Sequence, residues 1–255
     1  MLLALGFALA VLALVAWFVR YQLRLQAVTE RLIDAEDALD RGEVERAREL
    51  AAPILAKYPQ LAIVQDVAAD VLYANGDPLS AASLYERAMK KLGGPRVAPK
   101  LVAAYAALNR AGDARRVAAL APEDPMTRLA LAWSELAAVG GDRDKGRALA
   151  DEVAGDTELR STAAGDAMAL VLEAIAAASS GDATHARAAL DRASARRAEL
   201  AAHDRAFIGY LGGIALVQMG AIADARATWT MAIDAAPDTI GGALARRERS
   251  HLPTE

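Results

Sequence analysis

The groups able to do acid–base or metal chemistry are few: three histidines, His185, His203 and His251, and no cysteine. Metal capture needs ligands at fixed spacing on one face, as two histidines four residues apart on a helix would be. No two histidines here stand that close, so each is expected at the surface. The serine doublet Ser179-Ser180 ends an apolar stretch just before Gly181, where hydroxyls serve caps and turns. There is no Gly-x-Ser-x-Gly elbow and no phosphate-cradling glycine loop. The segments GGPR (93–96) and GGALARR (241–247) pair glycine with arginine but follow no strand-like run, and both read as loops. DRASARRAEL (191–200) mixes both signs, as a solvated helix face does. Without cysteine there is no thiolate metal site, cysteine nucleophile, disulfide or acylated cysteine, while the compartment stays open. The expectation is a chain that is not an enzyme and holds no cofactor or metal.

Elements that position surfaces are better represented. The 255 residues are 55% apolar, 24% charged and 5% aromatic, enough chain for a sizeable core. Alanine and leucine abound beside arginine and glutamate, which favours helix, and β-branched runs are scarce. An all-α fold follows. The net charge of −4 gives no electrostatic case for nucleic acid.

Residues 2–19 (LLALGFALAVLALVAWFV) carry no charge. As a helix they would reach ~27 Å, enough for the hydrocarbon core of a bilayer. Trp17 and Tyr21 fall at the far end, where amphipathic rings favour the interface. A cleaved signal peptide would begin with basic residues and end in small ones. Here neither holds, since Trp17-Phe18-Val19-Arg20 closes the run. Residues 1–21 are therefore expected to form an uncleaved transmembrane helix. Arg20, Arg24 and Arg31 follow it, which places the rest of the chain on the cytoplasmic side of a bacterial inner membrane.

Beyond the run, residues 22–40 read as a helix, and then a turn pair recurs. It stands at Gly42-Glu43, Gly76-Asp77, Gly112-Asp113, Gly141-Asp142, Gly181-Asp182 and, degenerate, Gly220-Ala221, at intervals of 29 to 40 residues. A helical apolar stretch precedes each pair after the first, and another follows most of them. Glycine in a left-handed conformation ends one helix, and the polar residue beside it starts the next. Each unit is thus a helical hairpin. A hairpin cannot bury its own apolar face, so neighbours must stack.

These residues resemble the tetratricopeptide repeat family, whose unit is a thirty-four-residue hairpin. Its pattern places small residues where the paired helices touch and Gly-Asp at the turn. Alanine follows five residues later, an aromatic four beyond that, then alanine and a closing proline. Gly76, Asp77, Ala81, Tyr85 and Ala88 match it, as do Gly213, Gly220, Ala225, Trp229, Ala232 and Pro237. The first unit supplies Ala35, Gly42, Ala47 and Pro59, and the unit after Gly181 keeps Ala186 and Ala193. The pattern spans about residues 28–237 and departs in the middle. There Pro122 and Pro125 cut a helix short and Gly146 replaces the packing alanine. Pro53, inside a second helix, should kink it.

The resemblance implies a solenoid of about six hairpins over residues 22–237, closed by a polar capping helix and tail, 238–255. It also implies that the first helix of each hairpin lines a concave groove for a peptide or partner helix. Carried over by position, that groove would be faced by Asp66, Asp70, Tyr73, Asn109, Arg110, Arg128, Glu135, Phe207, Tyr210 and Gln218. The lysine and asparagine set of the family's carboxylate clamp is absent. The expected function is a membrane-anchored scaffold that binds protein partners beside the inner membrane in envelope or complex assembly. In topology it is similar to the lipopolysaccharide assembly protein B group, minus that group's cysteine-bearing metal module. A periplasm-facing chaperone-like protein of envelope or cytochrome assembly would use the same scaffold, as would a subunit of an enzyme complex. Removing residues 1–20 should release a soluble helical protein. Circular dichroism of that truncation should show one cooperative melt, and aggregation would contradict the division into anchor and solenoid.

Overall fold

A computed structural model describes the backbone of residues 2–253 and the side chains of Leu14, residues 17–20 and residues 26–253. Within them the chain is helical, without strands. Six hairpins are formed by α1 (Leu2–Asp40) with α2 (Val44–Lys57), α3 (Ala62–Ala74) with α4 (Pro78–Leu92), and α5 (Gly94–Ala107) with α6 (Ala111–Ala118). The series continues as α7 (Pro125–Ala137) with α8 (Arg143–Gly155), α9 (Ala163–Ser179) with α10 (Ala183–Ala195), and α11 (Ala202–Gln218) with α12 (Ile222–Ala235). A last helix, α13 (Ile240–His251), packs on α11 and α12. Single 3-10 turns lie at Leu159–Ser161 and Arg197–Glu199.

Five turns are the same backbone device. At Gly42, Gly76, Asn109, Gly181 and Gly220 the chain enters positive φ. The next residue then donates its N–H to a carbonyl five residues back: Glu43 to Ala38, Asp77 to Leu72, Arg110 to Tyr105, Asp182 to Ala177 and Ala221 to Leu216. This closure satisfies the helix's orphan carbonyls and reverses the chain. Asp77, Asp142 and Asp182 then cap the following helices by accepting from the backbone N–H three residues on.

At the fourth turn the left-handed residue is Gly140, φ 76°, beside the expected Gly141, and the sequence expectation needs a larger correction at the third. The left-handed residue is Asn109, φ 57°, while Gly112 lies inside α6. Asparagine is one of the few non-glycine residues that tolerate this conformation, so a search for glycine lands three residues late. The two segments read as loops are also helix starts. Gly94-Pro95-Arg96 opens α5, and Gly241-Gly242 lies in the first turn of α13. Pro53 sits within α2, and α6 is short where Pro122 and Pro125 follow.

Small residues sit where helices touch. Ala47, Ala81, Ala186 and Ala225 have no exposed surface. A methyl group on Gly213 would stand 2.1 Å from Trp229 Nε1, whose N–H donates to the Tyr210 carbonyl at 2.9 Å. Gly146 has the same reason: an added Cβ would lie 2.8 Å from Leu136 Cγ.

The solenoid also meets itself. A Cβ on Gly76, between α3 and α4, would come within 2.9 Å of Ala243 Cβ on α13. One on Gly42 would come within 2.7 Å of His203 Nδ1 on α11. Arg247 of α13 donates to the Ala107 carbonyl at the end of α5, 2.9 Å, so the first hairpins touch the last.

In α1, Val28, Leu32, Ala35 and Ala38 are buried in a cluster with α2 and α3, while Leu14, Phe18 and Val19 are exposed. Among the described residues no helix is long and apolar enough to cross a membrane. The anchor expected over residues 1–21 falls for its larger part on side chains outside that description.

Replacing Ala81 or Ala225 with Leu should cost about 1–3 kcal/mol by overpacking. Exposed Lys90→Ala should cost no more than ~0.5 kcal/mol. Urea unfolding of the three variants measures this, and equal losses would contradict the packing.

Candidate partner-binding surface

The residues that the resemblance assigns to the groove divide into three groups. Asp66 and Asp70, one turn apart on α3, are held by the chain's own cations. Lys100 of α5 donates to Asp66 Oδ1 at 3.1 Å and to Asp70 Oδ2 at 2.6 Å. Arg96 reaches Asp66 Oδ2 at 3.1 Å, and the Tyr85 hydroxyl donates to Asp70 Oδ1 at 2.7 Å. Asp66 is fully buried, so it offers a partner no surface. Burial pushes the Asp70 carboxyl above the usual carboxylate range, even though Lys100 and Tyr85 pull it back. Burial alone would lower the Lys100 ammonium, but the Asp70 and Asp66 carboxylates outweigh it and hold it above its ordinary value. Glu135 on α7 is likewise fully buried. It takes a two-pronged bond from Arg115, 2.6 Å at each oxygen, and accepts the Asp142 N–H at 2.8 Å. Its carboxylate occupies the role that a backbone carbonyl plays in the other turns.

A second group converges in the interior. Trp133 of α7 meets Phe207 edge-on at 5.1 Å between ring centroids and Tyr210 at 6.1 Å, and the latter two are 6.0 Å apart. Tyr73 of α3 packs against the same core. Burial raises the Tyr73 and Tyr210 hydroxyls well above their ordinary pKa. Gln218, at the end of α11, donates to the Leu136 carbonyl at the end of α7, 3.2 Å. Here the hollow that the resemblance implies is filled by the chain's own helices.

The third group stays near the surface, apart from that cluster. Asn109 makes the α5–α6 turn, and Arg110 stacks over the Tyr105 ring at 4.7 Å while bonding Asp113 at 2.6 Å. Arg128 faces Glu152 at 4.0 Å and Asp156 at 3.7 Å, within an open notch beside the shortened α6.

What remains open toward the interior is a cavity of about 240 Å³ where the first and last hairpins meet. Leu39, Val44, Tyr73, Phe207 and Ile240 line it, with His203 and Asp204 also on the wall. His203 is half-buried, where the sequence suggested an exposed surface residue. Its Nδ1 is sealed against Gly42 and among the described residues meets no hydrogen-bond partner, and Nε2 lies 3.5 Å from Asp204. His185 pairs with Glu173 at 2.7 Å, and His251 is exposed. The Ser179 and Ser180 hydroxyls bond back into α9 at the Ala176 and Ala177 carbonyls. Among the described residues no three His, Asp or Glu side chains gather as a metal site would require.

Sequence reasoning missed Lys100, Arg96 and Trp133. A signal for the first was present: Lys100 stands 34 residues after Asp66, one repeat length, hence at the same level of the neighbouring helix. No family model matches this chain, and no curated protein matches it.

Lys100→Met keeps the aliphatic stem but leaves two inward carboxylates without their shared cation. A loss of about 3–5 kcal/mol is expected at pH 7. Because the folded-state pKa of Asp70 is raised, the folded form binds its proton first. Stability lost at neutral pH should therefore return as pH falls toward 4. Urea unfolding at the two pH values tests this, and a pH-independent loss would contradict it.

Proposed function

We propose that the chain is a membrane-tethered tetratricopeptide-type scaffold that holds protein partners beside a bacterial inner membrane. The observation that carries this reading is the continuity of α1. One helix runs from Leu2 to Asp40, its last turns buried in the first hairpin and Leu14, Phe18 and Val19 exposed before Arg20. An apolar run fused in one helix to a solenoid supports attachment, and the arginines after it support a cytoplasmic solenoid. Because the interior aromatics pack on one another, the partner face is the seam cavity rather than an open groove. Its apolar wall suits an inserted apolar side chain, and Asp204 at its edge suits a neighbouring basic one.

A photo-crosslinking residue placed at Ala74, on the cavity wall, should capture a discrete partner in cells. The same residue at exposed Lys90 should not. Protease added to inverted membrane vesicles should digest the solenoid. Capture at Lys90 alone would move the binding face, and protection from protease would reverse the topology.

A further inference from the structure

A second cavity, also about 240 Å³, lies between α10, α11 and α12, away from the seam. Leu190, Ile208, Leu216 and Met231 line it, and α11 forms its floor at Gly209 and Gly212. Packing does not demand glycine at 212. An added methyl would meet Leu190 Cδ2 at 3.6 Å and Thr228 Cγ2 at 3.9 Å, which are ordinary contacts. The hollow thus stays open where a side chain could have narrowed it. An apolar cavity of ~150 Å³ already admits benzene, so this one has room for a longer guest.

The charges at its mouth are unequally matched. Arg187 is neutralised by Asp224 at 2.8 Å. Arg197 extends to Met231 Sδ at 3.4 Å, an acceptor much weaker than a carboxylate, and Arg205 donates to the Leu200 carbonyl at 2.8 Å. Among the described residues neither guanidinium meets a carboxylate, and Asp191 on the same wall meets no cation. Two arginines against one aspartate leave a single positive charge over an apolar slot.

We propose that this cavity binds a monoanionic amphiphile, a medium-chain carboxylate whose tail lies among Leu190, Ile208 and Leu216 and whose head takes Arg197 and Arg205. The guanidinium fork matches a carboxylate in two bonds, so the head displaces Arg197 from Met231. A doubly charged head would be opposed by Asp191. The site stands independently of membrane attachment and of the seam cavity.

The test uses the full chain in phosphatidylcholine vesicles with octanoate bearing a terminal diazirine. Labelled residues are located by mass spectrometry. Label is expected within α10–α12, and about tenfold less from the matching octanol, as loss of charge-assisted hydrogen bonds implies. Arg197→Ala with Arg205→Ala should reduce the acid to the alcohol's level, and Gly212→Leu should abolish labelling by filling the floor. Both arginines lie at the mouth, so their variant decides the matter even if Gly212→Leu unfolds. Equal labelling by acid and alcohol would overturn the proposal. So would labelling that survives loss of both arginines, or label absent from α10–α12.

Discussion

At Gly213 a single methyl group would collide with the indole of Trp229, and at Ala81 and Ala225 the helix surface is already closed. This close approach is the constraint on which the architecture rests. Helices that touch through glycine and alanine bring their backbones near enough for a side chain on one to reach the carbonyls of the other, as Trp229 does at Tyr210. Small residues each bury little area, so no hairpin gains much alone. The consequence is a stack in which each pair of helices depends on its neighbours.

Buried carboxylates enter that stack in paired sets. Asp66, Asp70, Lys100 and Tyr85 tie α3, α4 and α5 together. Asp166 takes Arg160 and Arg196, at 2.8 and 2.9 Å, across the base of α9 and α10. Burial would raise the Asp166 carboxyl, but its two guanidinium partners hold it below the usual range. The first set, with Asp66 and Lys100 one repeat apart, fastens adjacent units, whereas the second closes the two helices of one hairpin.

The hairpins were legible in the sequence because a turn built from left-handed glycine and an aspartate cap is a local device. It failed at Asn109, where another residue takes the glycine's conformation, and at Gly94 and Gly241, where glycine opens a helix instead of ending one. The aspartates of α3 were correctly placed on one face, but their cation comes from the same chain. What local pattern could not show is the return of α11 and α13 onto the first hairpins, a contact across more than a hundred residues. That return turns a linear array into a closed one. In an open array coupling passes only between neighbours, whereas here the first and last units also constrain each other.

The aromatic cluster has an optical consequence. Of the three tryptophans, Trp133 and Trp229 are buried in the second half of the chain and Trp17 stands in the apolar run, while α2 to α6 contain none. Tyr73, Tyr85 and Tyr105 stand on α3, α4 and α5 instead, and Tyr73 packs into the core that contains Trp133. Light absorbed at Tyr73 therefore has an indole acceptor in the same core, on a helix that belongs to a different hairpin. The protein's own ultraviolet emission thus carries a contribution that reports on the packing of α3 against that core.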